Sequence, residues 1–259
     1  MKIGFFDSGI GGLTVLSEAL KRLPHHEYLY YADTEHAPYG KRPKEEVLVY
    51  VLEAVDFLVQ QGAQMIVIAC NTATSIAITT LREKYDIPII GMEPAVKPAI
   101  ECVSDGSKRV LVTATPLTLK EEKMHELIQR IDGKHQTDLL PLPDLVRFAE
   151  ALDFSDRTVL PYLEKCLSPL AVNQYGAVVL GCTHFPLFRA QFEKLFESTV
   201  HIVDGSSGTV SRLEQLMREE KAIESSDPNV KFYQSGKEVQ SEKDLVKFTR
   251  ILAQLDGSK

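Results

Sequence analysis

A chain of 259 residues, 44% hydrophobic and 25% charged, can bury one large core or two of ordinary size, and this composition excludes a disordered or fibrous protein. The formal net charge of -7 at pH 7 leaves no excess of Lys and Arg to neutralise phosphates, which argues against a nucleic-acid partner and for small solutes. No apolar run approaches the roughly 18 residues of a membrane span. The opening Met1-Lys2-Ile3-Gly4-Phe5-Phe6-Asp7 does not make a secretory signal, so a cytoplasmic protein is expected. Cysteines 70, 102, 166 and 182 show no C-x-x-C spacing and read as free thiols.

Lys2 to Phe6 reads as a first strand, followed by the turn Asp7-Ser8-Gly9-Ile10-Gly11-Gly12 and a helix carrying Leu13, Leu16, Leu20 and Leu23, which Pro24 stops. Tyr28 to Ala32 is a second strand ending at Asp33. The loop through Ala37-Pro38-Tyr39-Gly40 leads to a helix from about Pro43 to Gln61. Met65 to Ala69 is a strand, Thr72 to Tyr85 a helix, and Pro88 to Gly91 a short strand. Ala95 to Val103 is helical, Arg109 to Thr113 a strand, Leu119 to Ile131 a helix and Thr137 to Leu140 a strand. Helices are predicted over Pro143 to Leu152 and Ser155 to Leu167. After the strand that begins at Ala177, a helix runs from Pro186 to Phe196, Val200 to Val203 is a strand, and Ser206 to Glu220 is a helix. Asn229 to Tyr233 is expected as an edge strand, and Ser241 to Leu255 as an amphipathic helix with Ser241 as N-cap.

Strands alternating with helices of ten or more residues predict parallel βαβ units with helices on both faces. The expectation is an α/β fold of two similar parallel-sheet domains with the active site in the cleft between them. The break falls near Met92-Glu93-Pro94 and a return crossing near Gly205, giving domains of residues 1–92 plus 206–259 and 93–205.

The segments Gly62 to Thr72 and Gly176 to His184 are rough copies, each an apolar run closed by a cysteine, Cys70 or Cys182. Ligands of α/β sheets bind at the carboxyl ends of parallel strands, and helix N-terminal amides there lower a thiol pKa. A matched pair of functional thiols is therefore expected, whereas Cys102 and Cys166 read as small core hydrophobes. The glycine loop fails as a dinucleotide fingerprint, since Thr14 stands where the third Gly belongs, and it lacks the P-loop Lys. His184 can exchange a proton with a thiol. Cys182-x-His184 offers only two zinc ligands, too few for a site, so no metal is expected. Asp7 and Asp33 close strands. Ser8, Asn71, Thr72, Thr115, Thr118 and Thr183 lie on strand-end loops, where they can bind an amino acid's carboxylates and ammonium or simply cap helices.

Taken together, Asp7-Ser8-Gly9-Ile10-Gly11-Gly12, Pro38-Tyr39-Gly40, Ala69-Cys70-Asn71-Thr72-Ala73 and Gly181-Cys182-Thr183-His184-Phe185-Pro186 closely resemble the bacterial glutamate racemases, within the wider aspartate/glutamate racemase superfamily. The resemblance spans almost the whole chain. It implies two α/β domains with glutamate between them, no metal, pyridoxal phosphate or other cofactor, a supply of D-glutamate for cell-wall peptidoglycan, and a homodimer. It further implies a two-base reaction. Cys70 as thiolate removes the α-proton of D-glutamate while Cys182 delivers one to the opposite face, and the roles exchange for L-glutamate. By the same resemblance Asp7 assists Cys70, His184 with Glu150 assists Cys182, and Asp33 supports. Ser8, Tyr39, Gly40, Asn71, Thr72, Thr115, Thr118 and Thr183 would bind the substrate. The chain departs from the family pattern at Ala32 and Ala114, where Gly is common, at Glu35-His36-Ala37, and loosely over Leu142 to Phe154.

Competing readings are a sister racemase for aspartate or hydantoins, a two-lobed amino-acid binding module, and a Cys-His hydrolase using Cys182 and His184. The binding module fits poorly with the absence of a secretory signal, and the hydrolase leaves Cys70 without a purpose.

Overall fold

The computed structural model describes residues 1–92, 94–103, 106–221, 223–224 and 229–257. Glu93, at the expected domain break, lies outside the described residues. The chain forms two compact units, Met1–Glu93 with Ser206–Lys259, and Pro94–Gly205.

In chain order the first unit begins with β1 (Lys2–Asp7), α1 (Leu13–Arg22), β2 (Glu27–Ala32), α2 (Lys44–Gln60), β3 (Met65–Ile68), α3 (Asn71–Lys84) and β4 (Ile89–Gly91). The second unit comprises α4 (Val96–Cys102), β5 (Arg109–Ala114), α5 (Pro116–Lys120), α6 (Glu122–Ile131), β6 (Thr137–Pro141), α7 (Pro143–Glu150), α8 (Asp156–Leu167), β7 (Tyr175–Leu180), α9 (Arg189–Leu195) and β8 (His201–Asp204). The chain then completes the first unit with α10 (Ser206–Glu219), β9 (Val230–Gln234), β10 (Lys237–Glu238) and α11 (Glu242–Asp256).

The first sheet has the order β10-β9-β2-β1-β3-β4 and the second β6-β5-β7-β8, and every pairing is parallel except the β9–β10 hairpin. A parallel sheet covered on both faces needs near-continuous apolar strands rather than alternating ones. Ile3, Phe5 and Phe6 of β1, Met65, Ile66 and Ile68 of β3, and Val110, Leu111 and Val112 of β5 all have no exposed surface. In the first unit α1 packs on α10 and α11. The Phe248 ring of α11 stacks on Phe232 of β9 with centroids 4.8 Å apart and meets Tyr30 of β2 edge-on at 6.0 Å. In the second unit Val96, Ala99, Val110, Val112, Ala177 and Val179 form a continuous core between α4 and the sheet.

Four expectations need correction. The helix expected over Leu119 to Ile131 is two helices. Pro116 and the Thr115 hydroxyl, which accepts from the Thr118 amide at 3.2 Å, start α5 early. Glu121 then turns extended, with φ -67° and ψ 135°, and α6 begins after it. The helix expected from Pro186 starts as a 3-10 turn over Phe185–Phe188 and becomes α9 only at Arg189. The segment after Asn229 is not an edge, because β9 lies between β2 and β10, and a strand as short as β10 leaves no periodicity to read. Cys102 is exposed and Cys166 half-buried, so neither is a core residue; both sit in the last turns of amphipathic helices, off the apolar stripe.

Phe248→Ala removes a fully buried aromatic that closes one face of the first sheet, and should lower unfolding free energy by about 3–5 kcal/mol. Val246→Ala, at a position 57% exposed on the same helix, should stay within about 0.5 kcal/mol. Urea denaturation of the two variants measures the difference.

Candidate active site

Parallel pairing brings the carboxyl ends of β1, β2 and β3 level, with Asp7 opposite Ala32 and Phe6 opposite Ile68. Each strand hands over to polar residues at that edge. Asp7 is fully buried and its Oδ1 accepts the Gly9 amide at 2.9 Å. Gly12 is needed beside it, because a Cβ there would lie 2.5 Å from the Asp7 Cβ and 2.9 Å from the Tyr30 hydroxyl.

Two residues past β3, Cys70 takes the N-cap position of α3, and its sulfur accepts the Ala73 amide at 3.4 Å. That place usually belongs to Ser, Thr, Asp or Asn, and the helix dipole there favours negative charge on the capping atom. This is why α3 begins at Asn71, one residue before the expected start. The Cys70 thiol reaches Ser8 Oγ at 3.8 Å. Asn71 and Thr72 form the first turn of α3, both buried, and the Asn71 Oδ1 has no hydrogen-bond partner among the described residues. Such an atom is costly unless something supplies a donor.

Tyr39 and Gly40 lie in a 3-10 turn, Tyr39–Lys41, after the cis Ala37–Pro38 peptide. The buried Tyr39 hydroxyl donates to Asp33 Oδ2 at 2.5 Å. Burial, then the Asp33 charge, push the Tyr39 hydroxyl far above the ordinary tyrosine range, so it stays a donor.

The second unit builds its own cluster the same way. Gly181 follows β7 with its amide on Thr113 O at 2.7 Å, and a Cβ there would come within 2.7 Å of that same oxygen. The close approach places Cys182 at the strand end. Cys182 Sγ lies 3.7 Å from His184 Nδ1, and His184 Nε2 lies 2.8 Å from Glu150 Oε1, at the end of α7. A carboxylate only accepts, so Nε2 carries a proton and Nδ1 is left to exchange one with the sulfur. Burial acts to lower the His184 pKa, but hydrogen bonds to Cys182 and Glu150 outweigh it and hold the pKa well above the ordinary imidazole value. Thr115 and Thr118 hydroxyls meet at 2.9 Å at the start of α5, and Thr183 is buried beside Cys182.

The structure thus gathers Asp7, Ser8, Tyr39, Gly40, Cys70, Asn71 and Thr72 around one strand edge, and Thr115, Thr118, Glu150, Cys182, Thr183 and His184 around another. Glu150, in the loosely matching stretch, is in direct contact with His184. Sequence reasoning missed the partners of Asp33, among them His36 and Ser235; the strand-end position of Asp33 was the only signal. Among the described residues no group of three or more His, Cys, Asp and Glu could hold a metal ion, and no helix is long and apolar enough to cross a membrane.

The family model for Asp/Glu/hydantoin racemase matches residues 13–213. The chain belongs to this family. It is 49% identical to glutamate racemase 2 of Bacillus subtilis (strain 168), over 100% of this chain and 98% of that protein. Among solved structures, it is similar to Escherichia coli glutamate racemase in complex with L-glutamate and the activator UDP-MurNAc-Ala, with a TM-score of 0.84 and 30% identity over 98% of this chain and 94% of that one. It is likewise similar to the Francisella tularensis glutamate racemase in complex with D-glutamate, with a TM-score of 0.80 and 27% identity, covering 98% and 92% of the two chains. The fold is thus that of the glutamate racemases, which are isomerases.

His184 should titrate above about 6.5, followed by imidazole NMR resonances, and Glu150→Gln should lower its midpoint. Because the folded value is the raised one, the stability contributed by this pairing is fully present below about pH 6.5 and is lost as pH rises through the folded value. A midpoint unmoved by Glu150→Gln would separate the carboxylate from the imidazole's charge.

Proposed function

We propose that the chain is a cofactor-independent glutamate racemase that interconverts L- and D-glutamate through Cys70 and Cys182. The observation that carries this reading is that each sulfur stands past a parallel strand with its own means of holding negative charge. Cys70 has the amides of a helix N-terminus, and Cys182 has a protonated imidazole backed by Glu150. The relatives solved with L- and D-glutamate support glutamate as the substrate.

In the proposed reaction the Cys70 thiolate takes the α-proton of D-glutamate, leaving a planar carbanion-like centre. The Cys182 thiol gives a proton to the other face and becomes a thiolate, which the His184 imidazolium stabilises. The reverse direction begins with the Cys182 thiolate. A single base would return the proton to the face it came from, so inversion requires both sulfurs to reach opposite faces of one carbon. Asp7 assists Cys70, and Asp33 supports the surrounding turn. The unpartnered Asn71 Oδ1 suits the substrate ammonium. Ser8, Thr72, Thr115, Thr118 and Thr183 supply hydroxyl donors for the carboxylates, and the Tyr39–Gly40 turn supplies backbone amides. The two units serve as domains of residues 1–92 with 206–259 and 93–205. The enzyme acts in the cytoplasm as a homodimer, and its product feeds peptidoglycan synthesis.

Incubation with L-glutamate in deuterated water should yield α-deuterated glutamate with loss of optical rotation, and initial rates should favour L-glutamate over L-aspartate and a hydantoin. Cys70→Ser and Cys182→Ser should each lower kcat by about 10²–10⁴-fold while the far-UV spectrum is unchanged. Turnover like the wild type in either variant would refute the two-thiol assignment.

A further inference from the structure

The Asp33 carboxylate is 2% exposed and collects three side-chain donors. Tyr39 Oη reaches Oδ2 at 2.5 Å and Ser235 Oγ reaches Oδ1 at 3.0 Å. His36 Nδ1 lies 2.8 Å from Oδ1 and 2.9 Å from Oδ2, bridging both. Since the carboxylate can only accept, His36 carries a proton on Nδ1. Two oxygens bound to one donor fix the rotation of the carboxylate, and with it the direction in which Tyr39 finds its acceptor.

His36 is itself held. Its ring lies flat on Tyr50 of α2, with centroids 3.8 Å apart and planes 10° from parallel. The Arg42 guanidinium sits 5.6 Å from the centre of the same Tyr50 ring, and its Nε donates to the His36 carbonyl. Ser235 forms the other arm. It comes from the β9–β10 turn in the left-handed region at φ 43°, its amide bonded to Ala32 O at 2.9 Å and its hydroxyl accepting the Glu35 amide at 3.0 Å.

We propose that His36, acting through Asp33, is a positioning residue that sets the Tyr39–Gly40 turn for glutamate binding. The proposal rests on the reading of that turn as part of the substrate site. His36 touches neither substrate nor sulfur in this scheme; it orients the carboxylate that orients Tyr39. Glutamate binding should therefore respond more than the proton transfers at Cα.

His36→Phe keeps an aromatic ring against Tyr50 and removes the donor, whereas His36→Asn keeps a donor near the Nδ1 position. His36→Phe should raise KM for both enantiomers roughly tenfold and leave kcat within about twofold, the size expected for one hydrogen bond to a charged acceptor. His36→Asn should recover most of the loss. The downfield hydroxyl proton of Tyr39, assigned by its disappearance in Tyr39→Phe, should shift in His36→Phe and return in His36→Asn. An unchanged KM and an unmoved hydroxyl resonance in His36→Phe would overturn the proposal. So would a fall in kcat and melting temperature that Asn does not rescue, which marks a purely structural role. If the wild-type protein fails to racemise glutamate, the functional reading falls, while the hydroxyl resonance still decides whether His36 orients Tyr39 through Asp33.

Discussion

Parallel pairing of fully buried strands dictates where chemistry can sit in this protein. Inside β1, β3, β5 and β7 almost every side chain faces a covered sheet, and a charged group there would be desolvated without compensation. In these strands charged groups stand only at the ends, and at the carboxyl edge amides and hydroxyls can answer them. Asp7 closes β1, Asp33 follows β2, Cys70 follows β3, Thr115 follows β5, and Cys182 follows β7. Both units apply the same constraint, and this accounts for the likeness of the two cysteine segments.

The two thiols solve the charge problem differently. Cys70 relies on permanent dipoles, since its sulfur occupies a helix cap and accepts a backbone amide that does not titrate. The 3-10 turn after Cys182 is too short to supply a comparable field. His184 stands beside Cys182 instead, and its hydrogen bonds to Cys182 and Glu150 raise its pKa against complete burial, which favours a positive charge there. One centre is therefore electrostatically fixed, and the other depends on a proton shared with an imidazole. The proposed reaction, which must start from either enantiomer, requires both sulfurs to hold either state, and two different environments can meet that need.

Much of this was legible in the sequence because it is encoded locally. The apolar runs ending at Cys70 and Cys182, the Gly-rich turn after Asp7 and the alternation of strands and helices are all short-range patterns. What escaped depends on distance along the chain or on cap geometry. Asp33 and Ser235 are 202 residues apart, and no periodicity connects them. The break at Glu121 comes from a Thr115 cap that starts a helix outside the apolar stripe. β9 reads as an edge because the two residues of β10 leave no pattern, although their pairing moves β9 into the sheet. Cys102 and Cys166 show the limit of residue statistics, since a preference for burial says nothing about which face of a helix a given cysteine occupies.

The surroundings of Asp33 show how a loop acquires the order of a core. The segment from Thr34 to Arg42 contains no strand, only a hydrogen-bonded turn over 34–36 and a 3-10 turn, so its backbone has no ladder bonds to hold it. Its order comes from the carboxylate at its start, which gathers donors from within the loop and from the β9–β10 turn, and from the His36 ring laid on α2. A buried carboxylate with one donor would be a liability, because its charge would be poorly compensated; with three it becomes a rigid junction. The late strands β9 and β10 therefore do more than extend the sheet. By presenting Ser235 to Asp33, they tie the end of the chain to the turn that carries Tyr39, and the conformation of that turn becomes a property of the whole unit rather than of the loop alone.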